Sequence, residues 1–151
     1  MVRLRVLTVL VSTVTLLSGC IIGGGGHLFP VQGPAAGKNP GAVYSMSVTG
    51  AFSTGTLTAT LENNESCSGT WLQLKDTDSS AGQMSAQWDQ VYGPGFFVAH
   101  VLGSGALIHA TLTCKQGTTL NAEFFRTNPG SLGGSQGVAL DSKGNLYKVT
   151  F

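Results

Sequence analysis

Charge is the scarcest property of this chain. Asp, Glu, Lys and Arg together make up 10% of its 151 residues, and nowhere do they form a run of one sign. Nucleic acid is therefore excluded as a partner, because backbone binding needs a clustered cationic footprint. Cysteine is nearly as sparse, with three residues and no C-x-x-C spacing, and there are three histidines, His27, His100 and His109, none beside a cysteine. The spacing that marks a structural zinc site is thus missing, and no metal is expected. The longest apolar run, residues 6–17, falls short of the roughly 20 residues a spanning helix requires. Apolar and aromatic residues nevertheless persist along the chain, so a disordered tail is excluded as well.

The N-terminal stretch has an order of its own. Arg3 and Arg5 precede the apolar run, which contains Thr8, Ser12, Thr13 and Thr15 but no charge, and Leu17-Ser18-Gly19-Cys20 closes it. A cationic start, an apolar core and a small-residue site form the pattern of a secretory signal. The four closing residues resemble the lipobox of bacterial lipoprotein precursors: Leu, a small residue, Gly or Ala, then cysteine. The resemblance implies a signal helix over residues 1–19, removal of that segment, and a Cys20 carrying a thioether-linked diacylglyceryl group and an N-acyl chain. Several chains together hold a protein firmly in a bilayer, whereas one gives marginal binding. Membrane lipid is then the implied partner, and the cell envelope the implied location. Ile21 stands where an Asp would signal inner-membrane retention, which by the same resemblance points to the outer membrane.

Cleavage would leave 132 residues with six Lys and Arg against seven Asp and Glu. With Cys20 assigned to lipid, Cys67 and Cys114 are an even pair in an exported chain and are expected to form a disulfide. Residues 20–41 carry Gly23-Gly24-Gly25-Gly26 together with Pro30, Pro34 and Pro40, and read as a flexible tether. Such a segment reaches roughly 25 Å. The glycine run cannot be a phosphate cradle, since no Gly-Lys-Ser/Thr follows it.

From residue 42 to residue 151 the texture is that of a β domain, with short β-prone runs split by turn residues. Tyr44, Met46 and Val48 alternate with Ser45, Ser47 and Thr49; Leu57, Ala59 and Leu61 alternate with threonines. Residues 96–102 and 106–114 are the most apolar runs, and read as a hairpin joined through Gly103-Ser104-Gly105. In the second of these, Ile108, Ala110, Leu112 and Cys114 share one face and His109 takes the other. Residues 81–90 are the one helix candidate, with Met84 and Trp88 four apart and Ser80 as a cap. The fold class is all-β: an antiparallel sandwich or small open barrel of seven or eight strands.

Chemistry-bearing motifs are few. Gly133-Gly134-Ser135-Gln136-Gly137 spells the G-x-S-x-G elbow, yet no histidine follows Ser135 and the domain is small for an α/β hydrolase. Asp76 to Ser80 begins like a calcium loop, but Ala81 replaces the required Gly. The seven carboxylates fall nearly all in turns, and nothing in the sequence brings Asp89 and Glu123 together as a catalytic pair. The closing alternation to Phe151 is similar to the terminal signature of outer-membrane barrels, although the expected strands are short for spanning. No catalytic residue and no cofactor are expected. The leading expectation is a non-catalytic envelope lipoprotein, a binding or structural module. A small-ligand carrier built on a lipocalin-like barrel is the alternative, and an envelope hydrolase a distant third.

Overall fold

The computed structural model describes residues 21–51, 53–75, 83–102, 104, 107–127 and 133–151. Its eight strands form one closed antiparallel barrel in chain order: β1 (Ile21–Gln32), β2 (Tyr44–Ala51), β3 (Thr54–Thr60), β4 (Ser66–Gln73), β5 (Leu107–Cys114), β6 (Thr119–Phe125), β7 (Gln136–Asp141) and β8 (Leu146–Thr150), with β8 pairing back onto β1. Two short helices join them, α1 (Pro34–Lys38) between β1 and β2, and α2 (Ser85–Tyr92) between β4 and β5. The expected all-β antiparallel class holds, and full closure leaves no free strand edge.

The stagger explains why the barrel is solid. Ile22 pairs with Gly50, and the ladder continues through Gly55, Trp71, Ala110, Ala122, Ala139 and Tyr147. It returns to β1 at Pro30, eight residues along the strand from Ile22. Eight strands with a stagger of eight tilt by about 36°, the geometry of a barrel whose interior side chains just fill it. This layer holds two large rings, Trp71 and Tyr147, and otherwise mostly Gly and Ala. At Gly50 and Gly55 an added Cβ would lie 2.7 and 2.6 Å from the Trp71 indole. The layers beyond carry Leu28, Met46, Val48, Leu57, Ile108, Leu112, Leu120, Phe124 and Val149, all buried in one contiguous cluster.

The outer surface is the reverse. Ser47, Thr58, Ser68, Thr113 and Thr119 form one cross-strand row, and Thr49, Thr56, Thr70, Thr111 and Asn121 another, all exposed. A transmembrane barrel wears an apolar band outside; this one wears hydroxyls, so the Phe151 ending is not matched by a lipid-facing exterior. Phe151 instead packs against Phe124, the two rings tilted with centroids 4.9 Å apart.

Two sequence expectations are corrected. The tether assigned to residues 20–41 is not a tether from Ile21 onward, because Ile21–Gln32 is the strand that closes the barrel. Glycine carries no alternation signal, yet here its smallness is what the strand requires: a Cβ on Gly26 would sit 2.6 Å from the Phe151 ring and 2.8 Å from the Thr150 carbonyl oxygen. The β domain accordingly includes residues 21–32. The strand expected at residues 96–102 is also absent. Phe97–Val101 is a π-helical turn, closed by the Leu102 amide donating to the Phe97 carbonyl at 2.8 Å. Phe97 and Val101 are buried four apart while Val98, Ala99 and His100 are exposed, a helical period rather than an alternating one.

Candidate functional site

The barrel has a covered side and two distinct ends. α2 and the π-helical turn lie over the outer face of β5 to β8, where Met84, Trp88, Phe97, Val101, Leu107 and Val138 form a second apolar cluster outside the barrel. Met84 and Trp88 are the pair that marked α2 in the sequence, and both are buried. Ser80, its expected cap, lies outside the described residues; Met84 precedes the helix and caps nothing by its side chain. At eight residues α2 is too short to persist alone. It is fastened by its rings: Trp88 lies 5.5 Å from Tyr92 and 5.7 Å from Phe125, and Tyr92 lies 4.6 Å from Phe96. The Tyr92 hydroxyl bonds to the Gly137 and Val149 carbonyl oxygens at 3.1 and 3.3 Å. Burial pushes that phenol up to about 12.

Beneath this cover lies the most unusual polar group of the outer face. Glu123, on β6, is fully buried although it points away from the barrel interior. Trp88 Nε1 donates to its Oε2 at 3.0 Å. Its Oε1 lies 3.7 Å from His109 Nδ1 on β5, and neither atom has a hydrogen-bond partner. His109 Nε2 is 3.4 Å from Thr111 Oγ1. The sequence set His109 on this face, but nothing in it linked His109 to Glu123, because they meet across the β5–β6 ladder. The Thr111 hydroxyl beside His109 donates to Asn121 Oδ1 at 2.9 Å rather than to the imidazole. Among the described residues no group of three His, Cys, Asp or Glu gathers around a common point.

The remaining sequence candidates disperse. His100 is exposed and packs on Phe96 at 4.7 Å, and His27 is exposed on β1. Asp89 does not pair with Glu123; its Oδ1 accepts the Phe97 amide at 3.0 Å, a bond that holds its carboxyl below the usual range. Ser135 is buried with its hydroxyl unpartnered, and it leads into a strand rather than a helix. Asp141 closes β7 at the opposite end, roughly 20 Å away at ordinary strand rise. The G-x-S-x-G resemblance thus has neither an elbow nor a partner. Cys67 and Cys114 stand directly opposite each other on β4 and β5 and are disulfide-bonded. Cys20, the lipobox and the Asp76 to Ala81 stretch lie outside the described residues.

The end of the barrel that holds the α1, β3–β4, β5–β6 and β7–β8 connections is polar. Asp141 accepts from the amides of Lys143 and Asn145, from Asn145 Nδ2 and from the Tyr147 hydroxyl, all at 2.8–2.9 Å. Asn145 Oδ1 in turn accepts the Ala35 amide at 2.7 Å, which docks α1. Glu65, buried in the β3–β4 connection, accepts from Lys143 Nζ at 2.9 Å and from Thr118 Oγ1 at 3.0 Å. The lysine bond draws the Glu65 carboxyl below its ordinary range. A depression of about 410 Å³ opens nearby, lined by Val43, Tyr44, Thr60, Asn63 and Asn64. These groups seal and stiffen this end of the barrel.

No family model matches the chain, and neither the curated proteins nor the solved structures contain a match to it.

Proposed function

We propose that this protein is a lipoprotein of the bacterial cell envelope, acylated at Cys20, whose barrel is a non-catalytic binding or structural module. One observation carries the reading. The eight-stranded ladder closes on itself within residues 21–151, each strand having both its neighbours there. Removal of residues 1–19 would leave all eight of these strands in place. Ile21, at the position after Cys20, favours the outer membrane by the resemblance already stated. The non-catalytic part rests on the dispersal of Ser135, Asp141, Asp89, His27 and His100, and on the Thr111 hydroxyl beside His109 being bonded to Asn121.

The small-ligand carrier is set aside. An eight-stranded barrel is the architecture a carrier would use, but this interior is packed with Trp71, Tyr147, Phe124 and their neighbours. An apolar ligand would have to displace them against close packing.

The test is the intact mass of the protein recovered from membranes of an expressing bacterium, beside a Cys20→Ala variant. The expected result is loss of residues 1–19 and added acyl mass, both absent in the variant. An unmodified full-length chain in the membrane fraction would contradict the anchor.

A further inference from the structure

We propose that the barrel stands end-on against the lipid surface, with Leu72, Val98 and Leu102 in contact with the boundary between headgroups and acyl chains. The inference rests on acylation of Cys20, and it adds an orientation and a contact surface to that reading. A twenty-residue tether would let the domain drift roughly 25 Å from the bilayer and face any way. Formation of β1 removes that freedom. Cys20 is bonded directly to Ile21, which pairs with Ala51 at the rim of the barrel. Consecutive Cα atoms lie about 3.8 Å apart, so an acylated Cys20 at headgroup level brings this rim to the lipid with it.

Among the exposed Ser53, Thr54, Lys75 and Thr127 of this rim stand three large apolar side chains. It is the end at which β4 finishes and β5 begins. Leu72, on the outer face one residue before the end of β4, is 54% exposed. Val98 and Leu102, four residues apart on and just after the π-helical turn leading towards β5, are 67% and 56% exposed. Phe97 and Val101 on the same turn are buried against the barrel, so the turn presents one apolar face inwards and another outwards. Isolated exposed hydrophobic residues are ordinary on a protein surface; these three gather at the end where the acyl chains attach. Of the carboxylates on this side, Glu123 is buried, and Asp89, partly exposed, is bonded to the Phe97 amide. The opposite end carries Lys38, Glu62, Lys115 and Lys143 in its helix and turns, against Lys75 and Arg126 at the anchor end, and it is the opposite end that faces water. Val31 and Val43, the other exposed large apolar residues, are near that charged end and away from the anchor.

The experiment uses acylated protein purified from membranes and reconstituted into phosphatidylethanolamine–phosphatidylglycerol vesicles. Cys67 and Cys114 are disulfide-bonded and the Cys20 sulfur is blocked by its thioether, so one added thiol is the sole labelling site. Val98→Cys, Leu102→Cys and Lys115→Cys are each labelled with a polarity-sensitive fluorophore, and intact mass is recorded on the same samples. The expected result is blue-shifted emission at positions 98 and 102, quenched by spin-labelled lipid, with water-like, unquenched emission at 115. Water-like emission at all three positions, on protein whose mass shows the acyl groups, would overturn the orientation while leaving the anchor standing. A mass without acyl groups would overturn the anchor, and the orientation with it.

Discussion

Glu65 and Glu123 show how differently two buried carboxylates can be held. Glu65 has a lysine and a threonine on one oxygen, so its charge is stabilised and its carboxyl sits below the ordinary range. A carboxylate depressed in the folded state contributes stability that is present above its unfolded pKa and is lost as pH falls through the folded value. The thermal midpoint should therefore fall on acidification between about pH 5 and pH 2. Glu65→Gln should flatten part of that fall and lower the midpoint at neutral pH; an unchanged pH profile would show that the Lys143 contact contributes nothing. Among the described residues, Glu123 has only the Trp88 indole as donor. Neither partnership was legible in the sequence. Glu65 and Lys143 are 78 residues apart and Glu123 and Trp88 are 35 apart, and only closure of the barrel and the laying down of α2 bring them together.

Among the elements, those with an alternating pattern were legible and those without one were not. β2 and β3 expose Ser and Thr and bury Met46, Val48, Leu57 and Ala59 as their sequences indicate, and Cys114 points inward beside Cys67. The Met84–Trp88 spacing disclosed α2. β1 was missed because four glycines have no faces to alternate. The 96–102 stretch was misread because a short apolar run is the same in a strand and in a buried helical turn. The assignment of β1 can be tested at two neighbouring positions. Gly26→Val should destabilise by about 1–3 kcal/mol or more, because its side chain meets the Phe151 ring and a backbone oxygen inside a packed barrel. Gly25→Ala has open space around its Cβ, and should be neutral or stabilising by up to about 1 kcal/mol, since glycine is entropically costly in a strand. Chemical denaturation measures both. Equal, negligible effects would mean that the segment is a tether after all.

For the whole molecule, the interior and the exposed exterior exchange the roles they have in a membrane-spanning barrel: apolar side chains inside, rows of hydroxyls on the open outer face of β2 to β6, and Leu72, Val98 and Leu102 exposed towards one end. Composition made the β class legible, and the lipobox suggested the anchor, but the eight-residue stagger that fills the interior depends on registers the sequence does not spell out. Residues 21–32 close the barrel, and Ile21 is bonded directly to Cys20. Amide hydrogen exchange across these residues tests this closure most directly. A strand paired on both sides should exchange only through large-scale opening, as slowly as β5 and β6. Exchange of the 23–29 amides at the rate of an unstructured chain, with β5 and β6 still protected, would contradict it: the barrel would be open, and the glycine run the tether its composition suggests.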